Sequence, residues 1–588
     1  MALSLRDPYP DIEMVPPPLA QPLQKPSLVP SVEDRDEDCN PFARSTSGLS
    51  GCSAKTPRHK HESYNLSGSI FLVTSSGTTL NLPVPSESPA DPLNWGRWKT
   101  AGAVAAVAWH STVSLTVVQA ASMVYHGVLA DFGGQDIRPW TVETLVTAPT
   151  LFIGFGALLW VPLSLGMGRR PVFLISTLMM LLATIGAGYA GTFHQLLTCL
   201  CFLGLGEGFC LTLAILMIID MTFIHQRPKA VALLWSLAGC AGTSSLALVP
   251  LMSSHGHDWR LFYHYWSIPM GFSFVLAFFL YPETYFKRPT VAFDGLILLQ
   301  SATEKLTIYK DEEAESDIYR DLPDLPFGLQ RSGFNGLRDR LGLARSPFAS
   351  WTAAGRCFYQ MAFCAINPLI FWVFLASSVN FAGMLFIGST YARVLQAPPY
   401  SLSSALIKNV NICSGVGALF AYPFGGWLIN KILNRLARRN RGVREAEHFL
   451  VGHILPVITG ALSTILYGLA VQHKLHFAVY YIAYGLNGFS WTTLSISNTM
   501  WITEAFPRWA APAISVLAGG CYIASFVVAF ALVPWIAAHG FKVVGIEIAV
   551  LQIVSGLVAV PIAFWGKNSR QAIHGKWAGD RAGALRPL

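Results

Sequence analysis

Apolar runs long enough to cross a bilayer, separated by short polar turns, dominate the chain from residue 100 onward. A spanning helix needs about 20 mostly apolar residues. Twelve such runs can be read, at 100–125, 142–163, 171–191, 195–220, 231–252, 261–281, 369–391, 404–429, 449–471, 475–501, 510–535 and 542–565. They fall six and six around a polar stretch, 282–365, that contains DEEAESD at 311–317. The pattern predicts an all-α integral membrane protein of twelve transmembrane helices in two six-helix, pseudo-symmetric bundles. Its expected parts are a disordered tail at 1–98, a first bundle at 99–281, a linker at 282–365, a second bundle at 366–565 and a tail at 566–588.

The two halves echo each other. WVPLSLGMGRRP (160–171), between spans 2 and 3, has a counterpart in YPFGGWLINKILNRLARRNRGV (422–443), between spans 8 and 9. Each sets a Pro- or Gly-bearing helix end before a basic turn. Matched halves in a 6+6 chain are what a duplicated secondary transporter would give.

Composition agrees. The chain is 52% hydrophobic and 13% charged, against roughly 25% charged in a soluble domain. The first 98 residues are polar and rich in Pro and Ser, with no apolar run near the start. A cleavable signal peptide is therefore not expected, and the first span is expected to act as the targeting signal. The ten cysteines fall in the tail, the spans and the inner end of the linker, so no disulfide framework is implied. With the amino terminus inside, all but six of the 41 Lys and Arg residues lie on the cytoplasmic side, as the positive-inside rule requires. Both termini and the linker are thus expected to be cytoplasmic. The Asn65 sequon would then face away from glycosylation.

Short motifs refine the picture. They are ADPLNWGRWK (90–99) before span 1, PLSLGMGRRP (162–171) in the 2–3 loop, and GLGEG (204–208) with DMTFIHQR (220–227) on span 4. DWRLFYHYWSIP (258–269) enters span 6 and YPETYFKRP (281–289) leaves it. RRNRGVREAEH (438–448) occupies the 8–9 loop, and EAFPRWAAPA (504–513) follows span 10. In this order and frame, from about residue 90 to 570, the chain resembles the major facilitator superfamily, in particular its fungal drug:proton antiporter-like members. It departs from that pattern where an acidic residue is usual and Leu165 stands, at the matching Asn430, and at Leu200, where a membrane-embedded Arg is common. The span 5 signature is reduced to AGCAGTSSLALVP (238–250).

The resemblance implies a fold in which spans 1, 4, 7 and 10 line a central cavity. At 1.5 Å per residue, Glu207 lies near the middle of span 4, His110 of span 1, Asn380 of span 7 and Asn487 of span 10, with Trp491 one turn beyond. These residues would form a mid-membrane ring for substrate and proton coupling. A carboxyl inside a membrane marks function by default. The alternatives are a permanently protonated, hydrogen-bonded Glu207, a His110 satisfied by packing, and asparagines that serve as helix–helix glue. Gly168, Arg169, Arg170 and Asp220 are the expected gating set, or else basic residues obeying the positive-inside rule and an acid capping an inner span end.

The function expected is secondary active transport of a small organic molecule by alternating access at the plasma membrane. The resemblance implies proton-coupled efflux of drugs, toxins or secondary metabolites. Uptake of organic cations such as polyamines is the alternative, since one carboxyl that cannot hold a proton and a cation together serves both. Expected partners are a cationic or amphipathic substrate, protons and the bilayer, with a monomer sufficient and neither nucleic acid nor a cofactor or metal called for. Without a GxxxxGK[ST] loop, HExxH or GxSxG, the residues carry no mark of an ATP-driven pump or of those hydrolases. A channel or receptor on the same fold is the remaining class.

Overall fold

The computed structural model describes most of residues 81–286 and 345–577, with short strands between 64 and 71 and between 292 and 310. The disorder expected for the first 60 residues, the acidic run at 311–317 and the last eleven residues lie outside the described residues.

The membrane domain is helical. The first half comprises α1 (Arg97–Met123), α2 (Thr144–Met167), α3 (Arg169–Gly188), α4 (Phe193–Asp220), α5 (Arg227–Met252) and α6 (Trp259–Leu280). The second comprises α7 (Pro368–Gln396), α8 (Asn409–Arg439), α9 (Ala446–His473) and α10 (Ala478–Ala505), then one run, Ala510–Leu557. That run reverses at Gly540, whose φ of 77° interrupts the helix. The Trp535 indole donates to Glu547 at 2.6 Å, whereas twelve residues of straight helix would set them about 18 Å apart. It is therefore two helices, α11 (510–539) and α12 (541–557, prolonged by Ala559–Trp577). Among the described residues twelve helices then make up the membrane domain, at the positions of the twelve apolar runs.

Local chemistry sets several boundaries. Thr192 and Gln195 form a capping box at the start of α4, and Asn367 caps α7 ahead of Pro368; both satisfy amides that a first turn leaves unpaired. Tyr422–Leu428 makes a π-turn within α8. Its glycines let α8 approach closely: a Cβ at Gly426 would meet Ala232 of α5 at 2.9 Å. Large apolar side chains cover the perimeter, among them Ile268, Phe279, Val533 and Phe564, all at least two-thirds exposed. In water such a surface would drive aggregation; in a bilayer it is the expected lipid face.

The halves meet along α2–α11 and α5–α8. An additional helix, Trp351–Ile366, occupies the end of the expected linker and packs on α2, α7 and the α11–α12 hairpin. Six short strands are present among the described residues. β1 (Tyr64–Asn65), β3 (Ala292–Phe293), β4 (Leu296–Gln300) and β5 (Lys305–Lys310) form an antiparallel sheet in the order β1-β5-β4-β3, while β2 (Ser69–Phe71) pairs with β6 (Val443–Glu445) in the 8–9 loop. Further along the same segment, the Leu82 carbonyl accepts from Ile224 N at 2.7 Å. The amino-terminal segment thus touches the 4–5 loop of one half and the 8–9 loop of the other.

Candidate functional site

The GLGEG stretch divides its labour residue by residue. Gly204 and Gly208, four apart, face α2: a Cβ at 204 would collide with Pro149, and one at 208 with Ala157 and Ile153. Gly206 faces Met180 of α3 in the same way. Trp160 of α2 reaches across to donate to the Leu205 carbonyl at 2.7 Å. With the glycines committed to close packing on α2 and α3, Glu207 is turned toward the space between the halves.

There it lines a narrow central cavity with Ser111 of α1, Trp235 of α5, Phe381 of α7, Trp491 of α10 and Tyr522 of α11. Glu207 is 3% exposed, and its Oε2 has no hydrogen-bond partner among the described residues. The Trp235 indole nitrogen, a donor only, is buried and unpartnered as well. Phe381 packs against Trp491 and Tyr522 with ring centroids 4.8 and 5.0 Å apart. The cavity therefore offers one carboxylate oxygen and one indole donor within aromatic walls.

The expected ring of four polar side chains is not what forms. Glu207 and Trp491 meet at the cavity; His110, Asn380 and Asn487 do not line it. His110 is enclosed within the first half, its Nδ1 2.9 Å from the Ser273 hydroxyl and its ring edge-on to Phe173 and Phe209. Asn380 donates to Ser490 at 2.9 Å and Asn487 to Ser463 at 3.2 Å, inside the second half. The cause is helical phase. Ser111 and Phe381 face the cavity, and one residue earlier on each helix is a 100° turn away.

A second, smaller compartment adjoins the first toward the face with the basic loops. It shares Leu211, Trp235, Trp491 and Tyr522 with the cavity and adds the polar side chains of Ser377, Ser495, Asn498 and Thr499. Asn498 donates to Ser377 at 2.6 Å, and its carbonyl oxygen lies 2.6 Å from His453 Nε2. Sequence reasoning missed these residues. A signal existed: Trp491, Ser495, Asn498 and Thr499 recur at helical spacing on α10 and trace one polar–aromatic stripe.

At the basic-loop face, Gly168 joins α2 to α3 with φ 108° and ψ 166°, a region open essentially to glycine alone. The fully buried Arg169 reaches Asp220 at 3.2 Å and the Ser164 hydroxyl. Backbone amides of Arg169 and Arg170 donate to Glu283 at 2.9 and 3.2 Å, and Arg170 donates to the Phe278 carbonyl at 2.8 Å. Burial pushes the Glu283 carboxyl above the usual carboxylate range, while the amides of Tyr285, Arg169 and Arg170 pull it back. Gly168, Arg169, Arg170 and Asp220 thus come together in one place, with Glu283 beside them. Leu165, where the motif departs, and its neighbour Gly166 are covered by chain from the linker: Ser350 N donates to the Leu165 carbonyl at 2.8 Å and Arg345 Nε to the Gly166 carbonyl at 2.8 Å. Asn430, the counterpart of Leu165, leaves its Oδ1 unpartnered among the described residues. Gly168→Ala is expected to destabilise the protein by about 2 kcal/mol through backbone strain, and its added Cβ would also strike the Glu283 carboxylate. A melting temperature several degrees below wild type in detergent would register it.

The second half repeats the arrangement with one difference. Glu504, ending α10 as Asp220 ends α4, contacts Arg444 of β6 at 3.3 Å and also Arg227 of α5 at 3.7 Å. The latter pair joins the two halves.

A cavity between two six-helix halves of a membrane domain, walled by aromatic and apolar side chains around one unpartnered carboxyl oxygen, defines a solute carrier of the secondary-transporter type. Residues 100–529 match the Major Facilitator Superfamily. An uncharacterized MFS-type transporter of Schizosaccharomyces pombe is 23% identical over 528 residues, covering 85% of this chain and 89% of that one. The efflux pump radE of Floropilus chiversii is 24% identical over 438 residues, 73% of each chain. Among solved structures, the proton:xylose symporter XylE of E. coli shares the fold, with a TM-score of 0.52 at 12% identity over 81% of this chain and all of that one. The chain belongs to the Major Facilitator Superfamily and is a multi-pass membrane transporter.

Proposed function

We infer that this transporter exports a cationic or amphipathic organic molecule across the plasma membrane in exchange for protons, with Glu207 as the group that the two compete for. The observation that carries this reading is the free oxygen of Glu207, buried in the cavity between the halves with no partner among the described residues. A carboxyl so placed takes either a proton or the positive end of a substrate, and a site that cannot hold both couples their movements. The lining of Trp235, Trp491 and Phe381 suits a flat or cationic organic body. Export is supported by the name of one relative, an efflux pump. With both termini and the basic loops placed in the cytoplasm, the cluster around Gly168, Arg169, Arg170 and Asp220 serves as part of the inner gate, and Trp491 as a wall of the binding site. His110, Asn380 and Asn487 act as positioning residues that hold α1, α7 and α10.

The test uses purified protein in liposomes with an imposed pH gradient and a panel of labelled organic cations, neutral compounds and anions. Wild type is expected to concentrate a cation against the proton gradient. Glu207→Gln is expected to lose that drive while still exchanging substrate. Gradient-driven accumulation that survives in the Gln variant would remove Glu207 from the coupling step.

A further inference from the structure

The two adjoining compartments are chemically different. The one at Glu207 presents a carboxylate oxygen and the indole donor of Trp235, both buried and unpartnered among the described residues. The other presents only neutral groups: Ser495 and Thr499 line it on α10 beside the Asn498–Ser377 pair. No hydrogen bond engages the Ser495 or Thr499 hydroxyl among the described residues. Leu211, Trp235, Trp491 and Tyr522 belong to both linings and form the partition between them.

The offset can be read from helices running in opposite directions. On α10 Gly488 and Thr492 of the charged compartment precede Ser495 and Thr499 of the neutral one by seven residues each, and on α7 Ser377 of the neutral compartment precedes Met384 of the charged one by seven. Seven residues of helix advance about 10 Å. Both helices give the same displacement, along the transport path toward the basic-loop face.

We propose that these compartments are two stations of one binding site, and that the substrate is a bipolar molecule. Its protonated nitrogen sits at Glu207, its aromatic or apolar middle lies against the Trp235–Trp491–Tyr522 partition, and an uncharged hydroxyl or amide about 10 Å from the nitrogen bonds to Ser495 and Thr499. Trp235 donates to an acceptor near the middle of the molecule. Asn498, held by Ser377 and His453, is the positioning residue that fixes the floor of the neutral station. A substrate lacking the distal polar group leaves those hydroxyls without a partner in the complex, which costs affinity. The proposal rests on the assignment of Glu207 as the site of positive charge, and it goes further by naming the class of molecule.

The experiment follows accumulation of labelled aryl-alkyl ammonium compounds in liposomes containing the full chain. The compounds end in a hydroxyl or a methyl group, with about 6, 10 or 14 Å between nitrogen and terminus, and a neutral isostere accompanies each. Wild type is expected to favour the hydroxyl end at the middle spacing by about tenfold, the worth of one net hydrogen bond. The double variant Ser495→Ala/Thr499→Val, whose side chains keep nearly the native shape, is expected to bring that preference within about twofold, with the preference for cation over neutral isostere retained. Ser495→Ala alone should fall between the two, so a folding failure of the double variant does not decide the matter. A hydroxyl preference that survives in the variants, or that wild type lacks at every spacing, overturns the second station while the Glu207 assignment stands. Wild type that ignores charge, with Glu207→Gln alike, overturns the Glu207 assignment and the bipolar substrate together.

Discussion

Gly208→Val is expected to leave no folded transporter to purify. The Cβ alone would collide with Ala157 N and the Ile153 carbonyl, backbone atoms that no rotamer change can move aside. Overpacking where side chains yield costs roughly 1–3 kcal/mol. Here two helices must separate, and Gly156 and Gly204 press the same seam, with Leu205 and Pro149 in the way of any added atom. The cost is therefore placed at roughly 4 kcal/mol or more, in the tail of single-residue effects. Size-exclusion profiles in detergent give the answer: wild type elutes as one symmetric peak and the variant as aggregate or not at all. Gly355→Ala supplies the control, since nothing lies within 4 Å of that position. A well-behaved Gly208→Val protein would show that α2 and α4 are not held at backbone contact, and the orientation of Glu207 would need another cause.

Glu504→Gln is expected to open the basic-loop face. The Glu504 carboxylate, 4% exposed, stands between Arg444 at 3.3 Å and Arg227 at 3.7 Å. Removing one partner of a buried pair costs about 3–5 kcal/mol, because the remaining charge stays out of water. Arg227 belongs to the first half, so hydrating it requires the halves to part at this face. At 1.4 kcal/mol per decade, that cost shifts the closed–open balance by roughly two to three and a half decades. Amide hydrogen exchange in the peptides holding the ends of α10 and α5 should accelerate accordingly. Glu504→Asp should recover part of the protection. Asp220→Asn is the informative contrast, because Asp220 and Arg169 lie in the same half: it should lower stability without raising exchange at α5. Equal exchange in Glu504→Gln and wild type would mean that the contact between halves is not held by this carboxylate.

Depth along the bilayer was legible in the sequence, and direction around a helix was not. Counting residues placed Glu207 at the middle of α4, where it is found. The same counting picked His110 and Asn380, each one residue away from a cavity-facing neighbour, Ser111 or Phe381. A polar residue in a membrane helix must find a partner, and Ser273 or Ser490 inside the same bundle supplies it as well as a cavity does. Only contacts from helices distant in sequence decide which. The glycines of GLGEG are packing elements, as their close approach to Pro149, Met180 and Ala157 shows. By contrast, α6 and α10 are not apolar enough to stand out by mean hydropathy alone. Aromatic rings in one and a polar stripe in the other lower it, and in α10 that stripe is the site itself. Glu504 went unremarked because its contact with Arg227, 277 positions earlier, exists only in the folded chain.

The reversal at Gly540 bears on how the chain enters the membrane. No polar loop parts α11 from α12; one glycine with a positive φ turns the chain, and Glu547 clasps Trp535 and His539 across the bend. The two helices are therefore suited to enter the bilayer as a single hairpin rather than one after the other. A side chain at position 540 would strain the turn that sends the chain back across the bilayer.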